Sequence, residues 1–147
     1  MFVVDTNVLV YAANADSPHH STCREMLETW RDGASAWYLT WGIVYEFLSV
    51  MTNRQAFDRP WSAPQAWAFV EALLASPGLG VLAPTERHDA VAGEVLRELP
   101  HLGGRVMYDA QIAVLMREHG INRIYTRDMD FHRFPFLQPR DPLTEHE

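Results

Sequence analysis

The sequence predicts an α/β domain built on a mainly parallel central sheet of four or five strands. Short apolar runs of strand length alternate with longer stretches of helical spacing along the 147 residues. Helix start and stop signals fall between them. No repeat, low-complexity tract or linker interrupts the chain. Residues 1–147 therefore read as one domain, with an irregular tail expected from about residue 139.

Phe2-Val3-Val4 is a short apolar run suited to a buried first strand. Ser17-Pro18 reads as a cap and first helical residue, opening a helix to about Arg31 with Met26, Leu27 and Trp30 on its apolar face. Ala36 to Leu39 is a second strand, and Thr40 caps a helix to about Asn53. Arg54 to Trp61 is a loop. Ser62-Ala63-Pro64-Gln65 fits a capping box and starts a helix to about Ser76. Gly80 to Ala83 is a third strand. Thr85 begins a helix that ends near Leu99-Pro100, and Gly103-Gly104 forms a joint. Val106 to His119 is helical, with Gly120 just past its end. Ile121 to Thr126 is the fourth strand and Phe136-Leu137 a short fifth.

Composition narrows the chemistry. The 48% apolar content supports a real core. No apolar run approaches the ~18 residues of a membrane span. The first five residues lack the basic lead of a signal peptide. Cys23 stands alone, so no intrachain disulfide forms, and a cytoplasmic location is expected. All 12 basic residues are arginine, which excludes lysine chemistry: Walker loops, Schiff bases and kinase folds. A net charge of −7 argues against a passive nucleic-acid coat. It leaves room for an enzyme that meets nucleic acid through metal cations.

Parallel sheets place functional groups at the carboxyl ends of their strands. Asp5 closes the first strand, and Asp128 follows the fourth. Asp109 lies early in the helix from Val106. Glu46 lies on a stripe of small and polar residues with Gly42, Ser49 and Asn53, beside the apolar face of Ile43, Phe47, Val50 and Met51. That placement predicts a Glu46 near the core with little bulk around it. Taken singly, Asp5 reads equally well as a turn aspartate, and Glu46 better as a solvated one. Together, these carboxylates repel unless a cation binds between them. An oxygen-only donor set favours Mg²⁺, with Mn²⁺ as the alternative. Such an ion can activate water against a phosphodiester.

Asp5-Thr6-Asn7, Glu46, Asp109-Ala110 with Ile112-Ala113, and Thr126-Arg127-Asp128 with Asp130-Phe131 together resemble the PIN-domain family. Its VapC-type toxins of bacterial toxin–antitoxin pairs give the closest likeness. The resemblance runs from Phe2 to about Phe136. It implies a three-layer α/β/α fold and a Mg²⁺-dependent endoribonuclease acting on RNA. It also implies a small cognate antitoxin, and a homodimer is expected. The family's catalytic and metal positions match Asp5, Glu46, Asp109 and Asp128, with Asn7 and Thr126 in support. Asp130 can share or replace the role of Asp128.

Arg105 and Arg127 are candidate RNA contacts, with Arg54 and Arg133 of the same kind. Ion pairing or plain solvation is slightly the better reading of Arg105, and no basic run makes RNA contact compelling for the others. His19-His20 with Cys23 lacks the further ligands of a zinc site and reads as a helix turn. Phe57, Trp61, Trp67 and Phe69 read as packing or a protein interface before base stacking. A dehalogenase-like phosphatase needs a second aspartate where Asn7 stands, and a lysine. A receiver domain fails on the same lysine. A catalytically degenerate PIN domain that only binds protein or RNA is the remaining alternative, and the intact acid set counts against it.

Overall fold

The computed structural model describes residues 1–144. The elements run β1 (Val3–Val4), α1 (Thr6–Ala13), α2 (His20–Asp32), β2 (Trp37–Thr40), α3 (Trp41–Met51), α4 (Ala63–Leu74), β3 (Leu79–Leu82), α5 (His88–Glu98), α6 (Val106–Glu118), β4 (Arg123–Tyr125) and β5 (Gln138–Arg140). A 3-10 turn covers Met129–Arg133. The five strands form one parallel sheet in the order β3-β2-β1-β4-β5. Val3 pairs with Tyr38 on one side and Ile124 on the other. Helices α1 to α4 pack on one another, as do α5 and α6, and the two groups flank the sheet. Among the described residues no helix is long and apolar enough to cross a membrane.

The core explains why β1 needs only two residues. Val3 and Val4 are fully buried, as are Leu39 and Ile124 on the strands beside them. A strand covered on both faces reads as a continuous apolar run. Phe2 and Tyr125 close on Trp30 of α2, with ring centroids 5.0 and 4.8 Å from it. From β1 the chain moves outward to β2 and β3, then crosses back to place β4 on the other side of β1. The reversal opens a crevice beyond the carboxyl ends of β1 and β4, where such sheets bind their ligands.

Several predicted boundaries move. Helix α1 (Thr6–Ala13) is an element that the sequence analysis does not assign. Its start is capped by Asp5. Ser17 and Thr85 do not cap helices directly. Each makes a side-chain turn, accepting from the amides of His19 and Arg87, and the helix begins three residues later. The fifth strand is Gln138–Arg140 rather than Phe136-Leu137. The tail expected to be irregular from about 139 thus begins inside a paired strand, because Ile124 and Tyr125 take Pro139 and Arg140 as partners. Its last three positions, 145–147, lie outside the described residues.

Two predicted signals hold well. The Ser62–Gln65 capping box is present in both directions. Gly120 ends α6 with φ +72°; its amide bonds to Arg117 O and that of Ile121 to Met116 O, the paired closing bonds of a left-handed helix end.

Candidate metal centre

Asp5 sits where β1 becomes α1. Its amide donates to Tyr125 O at 3.0 Å, pinning it to the end of β4. Its carboxylate caps α1 by accepting from the Thr6 amide at 2.8 Å. The other oxygen accepts from the Thr126 hydroxyl at 2.7 Å and the Asn7 amide group at 3.0 Å. Asn7 is oriented in turn: its carbonyl accepts from the Arg127 amide. The Thr126 hydroxyl accepts from the Asp128 amide, and Asp128 accepts from the Asp130 amide, both at 2.9 Å. One chain of bonds therefore links Asp5 to both downstream acids.

Glu46 arrives from the other side. Thr40, the last residue of β2, caps α3 by accepting from the Ile43 amide. One turn later Glu46 faces the crevice. Asp109 lies in the first turn of α6. Asp109, Asp128 and Asp130 each offer an oxygen within 4.8 Å of the others. Gly42, Glu46, Arg105, Tyr108 and these three acids line a cleft of about 690 Å³.

The electrostatics match four crowded acids. Burial, foremost, pushes Asp5 up to about 6, against the hydrogen bonds from Thr126 and Thr6 and with repulsion from Glu46 and Asp128. Asp109 rises further, to about 7. Burial again leads, followed by repulsion from Asp128, Asp5, Asp130 and Glu46. Glu46 is also raised, by partial burial and then Asp128, while the nearby Thr6 hydroxyl opposes the rise. That hydroxyl is buried and, beyond this pull on Glu46, no hydrogen bond of ordinary length holds it among the described residues. Raised carboxylates and converging oxygens fit a divalent cation with its water shell.

Glu46 is exposed on the cleft wall, not near the core as its helical stripe predicted. Ile43 and Phe47 take the core positions. Of the four predicted acids, Glu46, Asp109 and Asp128 line the cleft; Asp5 is buried outside its lining with both oxygens engaged, and the convergent trio includes Asp130. Arg105 lines the cleft and has no side-chain partner among the described residues. Arg127 is committed elsewhere, to Asp141 at 3.3 Å and His19 at 3.2 Å. Arg133 pairs with Asp130, and Arg54 lies exposed after α3, away from the cleft lining. His20 bonds to Tyr11 O and Cys23 is buried; neither joins a metal-ligating group among the described residues. Phe47, Trp61 and Phe69 pack together at 5.0 to 6.4 Å, as the packing reading expects. The sequence reading missed Thr6, which carries no signal beyond following Asp5, and Tyr108, an aromatic beside a candidate acid.

The sequence model of the PIN domain matches residues 2–137. The chain is 35% identical to ribonuclease VapC43 of Mycobacterium tuberculosis over 97% of its length and 96% of the relative's. It is 33% identical to ribonuclease VapC37 of the same organism, with coverage of 91% and 92%. Among solved structures, Mycobacterium tuberculosis VapC20, a sarcin-ricin loop cleaving toxin, superposes with a TM-score of 0.65 at 20% identity, covering 90% of this chain and 93% of that one. DNA-bound VapBC of Salmonella typhimurium gives 0.65 at 19%, covering 96% and 97%. These two likenesses concern the fold. With a family match along nearly the whole chain and relatives above 30% identity across it, this protein belongs to the PIN domain family.

Proposed function

We propose that this chain is a metal-dependent endoribonuclease, the toxin of a VapBC-type pair. The observation that carries the reading is the convergence of Asp109, Asp128 and Asp130 on one point beside Asp5 and Glu46. The ribonuclease names of its relatives support the substrate class.

Asp109, Asp128 and Glu46 would hold Mg²⁺ (or Mn²⁺), with Asp130 sharing the place of Asp128. A bound divalent cation supplies an acidified water and charge stabilisation at the phosphoryl oxygens. Asp5 completes the negative field from below, fixed by Thr6, Asn7 and Thr126. Asn7 and Thr126 are positioning residues: each bonds Asp5, and Thr126 also bonds the Asp128 backbone. Arg105 is free to take a phosphate oxygen of the RNA. Arg127, paired with Asp141, serves RNA less directly and helps hold the loop after β4.

A small inhibitory antitoxin completes the reading, supported by the VapBC complexes among the structural neighbours. Self-association into a homodimer is supported by Tyr45 and Trp67, exposed around a groove of about 420 Å³ on α3 and α4.

The test is cleavage of RNA by the isolated protein. Cutting should require Mg²⁺ or Mn²⁺ and stop in EDTA. Undiminished cleavage in EDTA by contaminant-free protein would end the metal-dependent reading. A protein that binds RNA but never cuts it would favour the degenerate alternative.

A further inference from the structure

Tyr108 stands apart from the chain's other aromatic residues. It is 74% exposed, and it is the sole aromatic among the residues lining the acidic cleft. Its neighbour in sequence is Asp109. Arg105, three residues earlier and therefore on the same helical face, lines the cleft too. Arg105 marks the start of α6 and follows Gly104, whose φ of +67° lets the chain turn sharply into the helix. A cation and an open ring thus stand side by side at the mouth of a carboxylate cleft.

We propose that Tyr108 is a substrate-positioning residue whose ring stacks on an unpaired base next to the phosphate being cut. This rests on the ribonuclease reading above. Three physical points carry it. Every base offers a face to an aromatic ring, and the faces are covered inside an A-form duplex, so the contact selects unpaired RNA. The chain carries a net charge of −7, so its overall field does not draw in the phosphate backbone. Affinity then draws on individual contacts in the cleft, with the Arg105 cation and the open face of this ring side by side. Finally, the ring contributes nothing to the core: its exposure leaves it free to serve a ligand.

The experiment is steady-state cleavage of a short single-stranded RNA, with the same sequence as a duplex for comparison. Tyr108→Ala, Tyr108→Phe and Arg105→Ala are compared with wild type. Met107→Ala, on the same turn but outside the cleft lining, is the control. Tyr108→Ala should raise KM by about 5- to 150-fold with kcat nearly unchanged, from the energy of one base stack. Tyr108→Phe and Met107→Ala should match wild type, and all melting temperatures should agree. The slope of log KM against log salt should fall by about one in Arg105→Ala and stay constant in Tyr108→Ala. An abasic nucleotide beside the cleavage point should weaken wild type, and have no further effect on Tyr108→Ala.

Equal KM for wild type and Tyr108→Ala overturns the proposal while leaving the ribonuclease intact. So does equal loss in the Ala and Phe variants, which would assign the role to the hydroxyl. Unchanged RNA kinetics with weaker inhibition by a co-purified antitoxin would assign Tyr108 to a protein contact instead. A wild type that cuts no RNA removes the ribonuclease reading, and this one with it.

Discussion

Asp5 and Asp109 are both raised carboxyls, but their surroundings differ. Asp5 accepts from Thr6, Asn7 and Thr126, whereas Asp109 meets chiefly other acids. Asp5→Asn would replace an acceptor with an amide that faces donors. It should destabilise the metal-free protein by ~1–3 kcal/mol while also abolishing cleavage. Urea unfolding checks this; unchanged stability would mean that relief of repulsion outweighs the lost bonds. The pH dependence follows from the same shifts. A folded pKa of about 7 for Asp109 and about 6 for Asp5 lies above the unfolded value of 3.8. The folded state then binds protons more tightly, so their stabilising contribution is complete below about pH 4 and lost as pH rises through 6 to 7. Metal-free protein should therefore gain stability between pH 7 and pH 4 from this site. Metal competes with those protons, so Mg²⁺-dependent cleavage should fall as pH drops from 7 to 6. A flat rate across that interval would contradict the assignment.

Helices bring these residues together, and their legibility varied. The Ser62 box and the Gly120 stop were read directly, because each is a local pattern completed within a few residues. Helix α1 was not. It has eight residues, includes β-branched Val8 and Val10, and takes its stability from packing on α2 and α3. Strand β5 was displaced because Phe136 and Leu137 look like strand residues but pack against the core, while Gln138–Arg140 pair with β4. The acids of the site were visible as residues at strand ends; the depth of Asp5 and the commitment of Arg127 to Asp141 depend on contacts across 14 to 121 positions. A scaffold contact sits at the far end of α6. Glu118 is buried and accepts from the Thr85 amide and hydroxyl, with His88 bonded to its other oxygen. Glu118→Ala should cost ~1–3 kcal/mol by stranding the Thr85 amide, with kcat per folded molecule retained. A loss of kcat without loss of stability would move Glu118 into the reaction.

The whole molecule is acidic, and five of its 19 acids gather where the strand order reverses. On the proposed reading, that arrangement makes the metal-free cluster a source of repulsion and a bound cation a source of stability. It also predicts the phenotype: expression without a partner should slow bacterial growth, and Asp109→Asn should not. Equal slowing by both would detach toxicity from the site. The central claim is that the cluster is a cation site held against its own repulsion, and thermal unfolding of wild type and Asp109→Asn, with and without Mg²⁺, tests it directly. Without metal, Asp109→Asn should melt at the same temperature as wild type or higher. At Mg²⁺ about 100-fold above its Kd, wild type should gain ~2.7 kcal/mol, or roughly 5–10 °C, and the variant far less. A metal-free variant that melts well below wild type, with Mg²⁺ shifting both proteins equally, would contradict the claim and make Asp109 a structural residue.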